Sequence, residues 1–165
     1  MTPTLYFLRS SESKIVKDMT KYAHPDLEDN SIYSDFYGLT AKDLGLYALV
    51  DNVIAGAIWS RKLNAEHNAT GFVDEQTPVL SIYVLPEFRA KGIGQSMMSQ
   101  FLLEAGEVYE GVSISILDDE KIINFFEKFN FKRVENSHSI VMKKELEKKE
   151  IIRPTDGYDP TRWMD

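Results

Sequence analysis

Apolar and polar positions along the chain follow two different periods, and the first runs predict a strand followed by a helix. Residues 4–8 form a β-prone run. The apolar residues that come next have helical spacing: Ile15, Met19 and Tyr22. Ser10 and Ser11 lie between the two runs and are suited to capping this helix. Pro25 ends it, and apolar residues at helical spacing within 31–39 predict a short second helix.

Two later runs predict the centre of a sheet. The sequences LYALV and VIAGAIW are separated by Asp51 and Asn52, which tolerate the positive φ angles of a two-residue turn, so we expect an antiparallel hairpin. The run VLSIYVL, residues 79–85, is almost continuously apolar and ends at Pro86. Such a run is typical of a strand buried on both faces, and we expect it in the middle of the sheet.

The rest of the chain continues the alternation of helices and strands. A helix after residue 92 carries its apolar residues on one face: Ile93, Met97, Met98, Phe101, Leu102 and Ala105. Residues 112–116 alternate as a strand, residues 121–129 predict a helix, and FKRVE and HSIVMKKEL predict a final strand pair. The fold class is therefore mixed α/β. The 165 residues correspond to about one domain, which we place at 1–146, before a charged and aromatic tail at 147–165.

A long polar segment precedes the predicted central strand. Residues 63–78 exceed the ~12 to 15 residues at which loops without secondary structure become uncommon. Two interpretations stay open, a loop on the substrate side of the molecule and a disordered stretch.

Composition and charge exclude several classes of function. The formal net charge is -7, so wholesale neutralisation of nucleic-acid phosphates is not expected. The chain has no Cys and only three His residues far apart in sequence, which excludes a disulfide framework and argues against a metal site. The apolar patch in the first residues is too short for a signal peptide or a membrane span. We predict a cytoplasmic protein with no membrane partner.

The chemically informative stretch is a glycine-containing turn that opens the third predicted helix. Gly92 and Gly94 lack Cβ atoms and allow close approach of a ligand to the backbone, and the first helical N–H groups have no intrahelical partner. Arg89 and Lys91 add positive charge. These features predict a phosphate-binding helix N-terminus. A P-loop and a dinucleotide fingerprint are both excluded, because Lys-Ser or Lys-Thr does not follow a glycine and Met97 stands at the third small position.

The sequence IYVLPEFRAKGIG, with its R-x-x-G-x-G pattern, closely resembles the acyl-CoA signature of the GCN5-related N-acetyltransferase (GNAT) family. FFEKFNF is similar to the family's Y-E-K-x-G-F pattern, and the order of elements agrees from residue 4 to about 144. The resemblance implies a central mixed, largely antiparallel sheet flanked by helices, with a splayed parallel strand pair at the CoA site. It also implies transfer of acetyl from acetyl-CoA, without a metal, to a primary amine of a small molecule or peptide by direct attack in a ternary complex.

The same resemblance implies which residues hold acetyl-CoA. The pyrophosphate is assigned to one continuous stretch: Arg89, Ala90, Lys91, Gly92, Ile93, Gly94, Gln95 and Ser96. The pantetheine arm is expected along the backbone of Ile82, Tyr83 and Val84, where one N–H would face the thioester oxygen. Asp119 and Phe126 stand where the family often carries an Asn near the pantetheine and a Tyr that protonates the leaving thiolate.

The general acid and base are left open by these departures. Phe126 cannot donate a proton, so the thiolate leaves unassisted, takes a proton from water or uses another group such as Tyr83. Pro78 occupies the position where some relatives place a catalytic Glu. Glu75 is our first choice of base, with Asp74 and a water chain as alternatives.

The acceptor is not identified by the sequence. Acidic residues cluster in segments that border the acceptor cleft in the family, which favours a cationic amine: Asp26, Glu28, Asp29, Asp35, Asp74 and Glu75. The alternative is the ordinary acidic surface of a protein with negative net charge. Tyr33, Phe36 and Tyr37 are either pocket walls or core residues. A polyamine, an aminoglycoside, an amino acid, a peptide N-terminus and a protein lysine all stay open.

Two rival functions compete with the acetyltransferase. One is a CoA-binding regulatory or sensor module of the same fold that has lost the chemistry. The other is an interaction protein that forms a homodimer through the aromatic residues of the tail, such as Tyr158 and Trp163. The tail docks either on its own domain or on a second copy of the chain.

Overall fold

Seven strands form one mixed sheet within the part of the chain that the structure describes. This computed structural model describes residues 2–25, 31–34, 37, 43–67, 69–134 and 140–147. The strands are β1 (Thr4–Phe7), β2 (Leu44–Val50), β3 (Val53–Arg61), β4 (Val79–Val84), β5 (Gly111–Ile116), β6 (Lys132–Val134) and β7 (Ile140–Glu145). The helices are α1 (Ser13–Ala23), α2 (Ile93–Ala105) and α3 (Glu120–Lys128).

The strand order is β1-β2-β3-β4-β5-β7-β6, and every neighbouring pair is antiparallel except β4 and β5. The hairpin of β2 and β3 turns at Asp51 and Asn52, whose φ angles are 50° and 64°. Two positive φ angles are what a two-residue hairpin turn requires. The predicted mixed, largely antiparallel sheet with one parallel pair is therefore confirmed.

The sheet has helices on both faces. Helix α1 packs on one face, where Val16 and Met19 meet Trp59 of β3 in a small cluster. On the other face, α2 and α3 contribute to the main core, which includes Phe101 and Phe126. Successive side chains of β4 point to these two layers in turn, so the core on each face of the sheet holds one side of the strand.

Helix α1 differs from its prediction in both its start and its buried face. Residues Ser10–Glu12 form a 3₁₀ turn, and the helix begins afterwards without a side-chain cap. Tyr22 is 53% exposed, whereas Thr20 is buried with its hydroxyl donating to Val16 O over 2.7 Å. That bond satisfies the hydroxyl and lets a polar residue occupy the inner face that we assigned to Tyr22.

Strand β4 is buried on both faces only in its first half. Val79, Leu80 and Ser81 are buried, but Ile82, Tyr83 and Val84 are only half-buried. The prediction of a fully buried strand is wrong for this second half, because β5 no longer lies beside it there.

Part of the predicted second helix and almost all of the tail fall outside the described residues. Within 31–34, Ser31–Tyr33 forms a 3₁₀ turn. Of the long polar segment, Leu63 and Thr77 are buried, and Gly71 O accepts a 2.7 Å bond from Ser113 Oγ of β5. The described part of this segment therefore packs on the sheet.

No helix in the described ranges is both long and apolar enough to cross a membrane. The same residues hold no cluster of three or more His, Asp or Glu side chains arranged to bind a metal ion.

Gly56 of β3 tests how closely β3 and β4 must approach at the half-buried part of β4. A methyl group on Gly56 would lie 2.5 Å from Tyr83 O and 3.1 Å from Val84 Cα. We expect Gly56→Ala to lower the free energy of unfolding by about 1–3 kcal/mol in urea titration, as overpacking does.

Gly94→Ala is the matched control, because its methyl group would have neighbours at 3.7 Å and 3.8 Å, which is ordinary contact. A helical Ala in place of Gly should leave the free energy of unfolding equal or raise it by up to ~1 kcal/mol. Equal stability of the two variants would contradict the close approach.

Candidate active site

The site is a gap between β4 and β5. The two strands are paired only at Val79 and Ser113, and Ser113 N donates to Pro78 O over 3.0 Å. Beyond this point the strands separate, although each continues along the chain for several residues. A parallel pair that opens in this way leaves the edge of β4 accessible to an extended ligand.

The register of β4 decides which of its backbone groups face the gap. Leu85 N donates to Ala55 O over 2.8 Å, so Leu85 faces β3, and Tyr83 faces β3 as well because backbone groups alternate along a strand. Ile82 and Val84 then present their N–H and C=O groups to the gap. Of the three residues predicted to offer backbone bonds there, Tyr83 directs its backbone groups to β3 instead.

The glycine turn lies at the mouth of this gap. Gly92 has a φ angle of 80°, and the first intrahelical bond of α2 runs from Ser96 N to Gly92 O over 3.0 Å. The N–H groups of Ile93, Gly94 and Gln95 therefore precede the bonded ladder of the helix. A Cβ atom on Gly92 would meet nothing within 4 Å, so the turn faces open space. The predicted geometry of a helix N-terminus that can bind an anion is present.

Two cations flank the turn and contact backbone carbonyls. Arg89 Nε donates to Val84 O over 2.9 Å, and the guanidinium carbon lies 5.1 Å from the centre of the Tyr83 ring. Lys91 Nζ donates to Glu87 O over 3.3 Å. Ala90 beside them has a φ angle of 61°. Both charges are exposed at the end of β4, close to the first turn of α2.

Asp119 and Phe126 occupy structural positions. Asp119 Oδ1 accepts from Lys121 N at 2.8 Å and from Ile122 N at 3.3 Å, so the carboxylate caps α3. Phe126 is 3% exposed and packs edge-on against Phe131.

The neighbouring Phe125 is the aromatic residue of α3 at the gap. Its ring lies 3.8 Å from the position of a Cβ atom on Gly94, and Val84 is equally close to that position. Phe125 was not predicted as a site residue, because the family's Y-E-K-x-G-F pattern aligns its tyrosine with Phe126.

Glu75 and Tyr83 lie toward opposite ends of β4. Glu75 lines a groove of about 290 Å³ together with Lys62 and Asn64. Lys62 and Asn64 follow the end of β3, which pairs with the start of β4, so the groove lies near that start. Asp74 Oδ1 accepts from Gln76 N and from Thr77 Oγ1, each at 2.9 Å. The hydroxyl bond from Thr77 holds the pKa of Asp74 below its usual value.

The other acidic candidates Asp26, Glu28, Asp29 and Asp35 lie outside the described residues, as does Phe36. Tyr33 and Tyr37 are buried, and the Tyr37 hydroxyl donates to Leu8 O over 3.1 Å. Both tyrosines therefore belong to the core of the described part of the chain, which decides between the two interpretations left open for them.

A histidine and a serine meet on the α1 side of β4. Neither of these two residues was predicted from the sequence to belong to the site. His24 Nε2 and Ser81 Oγ are 2.9 Å apart. The His24 ring stacks on Tyr33 with a centroid distance of 3.7 Å. Burial lowers the pKa of His24 from 6.5 to about 4. The signal in the sequence was Ser81, a lone hydroxyl within an apolar run.

Comparisons with known proteins agree with this geometry. A family model described as an acetyltransferase (GNAT) domain matches residues 42–133, more than half of the chain. A comparison with curated proteins found no match.

Three solved structures resemble the whole fold. The ribosomal-protein-S18-alanine N-acetyltransferase from Escherichia coli has a TM-score of 0.66 at 12% identity, over 96% of this chain and 100% of that one. A GNAT superfamily phosphinothricin acetyltransferase from Sinorhizobium meliloti, in complex with AcCoA, has a TM-score of 0.65 at 17% identity over 97% of each chain. An acyl-CoA N-acyltransferase from Pseudomonas aeruginosa has a TM-score of 0.63 at 14% identity, over 87% and 99%. Identities this low establish the fold alone.

The half-buried His24 predicts a specific pH dependence of stability. Between pH 6.5 and pH 4 the unfolded chain binds a proton at His24 that the folded chain does not bind. This contribution is fully present above pH 6.5 and is lost as the pH falls to 4, by at most about 3 kcal/mol.

Urea titrations across this range should therefore show the wild-type protein losing more stability than His24→Gln, which cannot titrate. Parallel losses in the two proteins would contradict the burial of a neutral imidazole.

Proposed function

The chain belongs to the GNAT family of acetyltransferases, which use acetyl-CoA, and on that premise we propose that it acetylates a primary amine of a small molecule or peptide. The amine attacks the thioester directly while both substrates are bound. The observation that carries the proposal is the combination of the open β4 edge with the open N-terminus of α2.

The turn from Arg89 to Ser96 fits the diphosphate of the coenzyme. Backbone N–H groups of Ile93, Gly94 and Gln95 would donate to its oxygens, and the positive end of the helix dipole adds to the attraction. The absence of a Cβ atom on Gly92 leaves the space that this approach needs. Arg89 and Lys91 supply positive charge beside it.

The gap edge of β4 fits the pantetheine arm. Ile82 and Val84 would bond it as an added strand, and Val84 O would exchange its bond with Arg89 for one with the arm. The Ile82 N–H would face the thioester oxygen and stabilise the negative charge that develops there. Gly94 and Phe125 lie close to Val84 at this part of the gap, and the Tyr83 side chain lies on the face of β4 that meets α1.

The leaving thiolate finds no donor at Phe126, which is buried among other phenylalanines. We propose that water or Tyr83 protonates it. A cationic acceptor would suit the acidic residues Asp74 and Glu75 near the start of β4. The proposed cytoplasmic location and a homodimer through the tail rest on the sequence alone.

A charge reversal at Gly92 tests acetyl-CoA binding with a matched control. Asp and Asn both tolerate the left-handed backbone at this position, so Gly92→Asp and Gly92→Asn should unfold at similar urea concentrations. Only Gly92→Asp places a negative charge against the diphosphate. We expect its dissociation constant for acetyl-CoA to exceed that of Gly92→Asn by roughly tenfold or more, since ~1.4 kcal/mol corresponds to a factor of ten.

The readouts are thermal stabilisation by acetyl-CoA and release of free thiol. Acetyl-CoA at 100 times its dissociation constant should stabilise the wild-type protein by about 2.7 kcal/mol. Thiol release is then measured with a polyamine, an aminoglycoside, an amino acid and a peptide with a free α-amine or lysine. Binding without release for every amine would favour the regulatory module, and the absence of binding would contradict the proposal.

A further inference from the structure

The end of α1 contacts β4 at two places beyond its single paired position with β5. The Tyr22 ring stacks on Tyr83 with a centroid distance of 5.3 Å, and His24 Nε2 lies 2.9 Å from Ser81 Oγ. Ser81 and Tyr83 project from the same face of β4 because they are two residues apart. The end of α1 therefore covers the face of β4 beside the gap.

The orientation of the His24 ring is fixed from several sides. Its backbone N–H donates to Thr20 O over 2.9 Å, and its ring stacks on Tyr33 with an interplanar angle of 6°. Tyr33 is held at two points. Trp59 Nε1 donates to Tyr33 O over 2.8 Å, and the Tyr33 hydroxyl bonds to Thr70. The His24 ring is thus presented to Ser81 by buried, hydrogen-bonded neighbours.

Ser81 is also next to the proposed site of reaction. Its carbonyl carbon is bonded to Ile82 N, the backbone group that faces the gap. Ser81 is 2% exposed in a strand segment that is otherwise apolar. A hydroxyl buried there without a partner would lower stability, and His24 is the partner that satisfies it.

We propose that Ser81 and His24 form a proton relay for the attacking amine, an inference that rests on the proposed function. Ser81 Oγ accepts a proton from the amine nitrogen while the Ser81 hydroxyl proton passes to His24 Nε2. The C–N bond forms and the C–S bond of the thioester breaks. The proton held by His24 then returns through Ser81 to solvent, and the thiolate takes up one proton, so the products are the amide and free CoA.

The protonation state of His24 leaves one ring nitrogen free of a proton, but the low pKa makes the ring a weak base, so it holds the transferred proton only until that proton returns through Ser81. Its low pKa keeps the ring neutral at pH 7, and a neutral imidazole has one nitrogen that accepts. With the ring proton on Nδ1, Nε2 accepts from Ser81 and the Ser81 oxygen is left to face the amine. Ser81 is 2% exposed beneath the end of α1, so the acceptor must displace part of that end to reach Oγ. Ser81 is then the residue that touches the acceptor, and His24 is a positioning residue that acts through it.

A pair of isosteric substitutions tests the relay. Ser81→Thr keeps the hydroxyl, whereas Ser81→Val has the same shape without it. We expect kcat of Ser81→Val to be roughly 100-fold below that of Ser81→Thr, as is typical for loss of a general base. Their dissociation constants for acetyl-CoA should agree. If Ser81→Thr or Ser81→Val does not fold, Ser81→Ala, which is smaller than serine and lacks the hydroxyl, is compared with the wild-type protein instead.

A second readout separates proton transfer from a merely structural role. The N–H of a less basic amine loses its proton more easily, so the rate deficit of Ser81→Val and of His24→Gln should shrink with a fluorinated analogue of the accepted amine. A displaced strand would slow both acceptors by the same factor, and that result would overturn the relay.

The relay and the proposed function fail in different ways. If the wild-type protein is active and Ser81→Val is as fast as Ser81→Thr, the relay is overturned and the acetyltransferase stands. If the wild-type protein neither binds acetyl-CoA nor acetylates any amine tested, the proposed function fails, and the relay fails with it.

Discussion

The separation of β4 from β5 after a single paired position is the constraint on which the site depends. A strand in the middle of a sheet normally bonds both neighbours, but β4 bonds β3 along its length and β5 only at its start. The backbone groups of Ile82 and Val84 consequently face a gap. The same separation explains why the apolar second half of β4 is half-buried.

In the proposed site, the main chain supplies most of the binding chemistry. The edge of β4 offers alternating donors and acceptors, and the first turn of α2 offers donors alone. Side chains support these elements: Ile93 is buried and anchors the start of α2, and Asp119 caps α3. Under the proposed function, this division lets a chain with Phe126 in place of the family's tyrosine hold the coenzyme while other groups transfer the protons.

Sequence reasoning recovered the features set by local chemistry. Asp51 and Asn52 form the hairpin turn, and Gly92 stands directly before α2, where the glycine-containing turn was predicted to open a helix. It failed where the structure depends on hydrogen bonds and contacts that the pattern of apolar residues does not show. Thr20 of α1 is buried because its hydroxyl bonds to Val16 O, whereas Tyr22 is 53% exposed and stacks on Tyr83 at the end of the helix. A periodic pattern of apolar residues shows neither feature. The pairing of His24 with Ser81 joins residues 57 positions apart, so neither residue alone indicated it.

The most direct test of the account is amide hydrogen exchange, resolved by residue, with and without acetyl-CoA. Acetyl-CoA should slow exchange at Ile82 and Val84 of β4 and at Gly94 and Gln95 of α2. Leu85 N, which already bonds to Ala55 O, serves as the internal reference and should change little. Saturating acetyl-CoA that leaves exchange at all four amides unchanged would contradict the claim that the gap and the helix N-terminus hold the coenzyme.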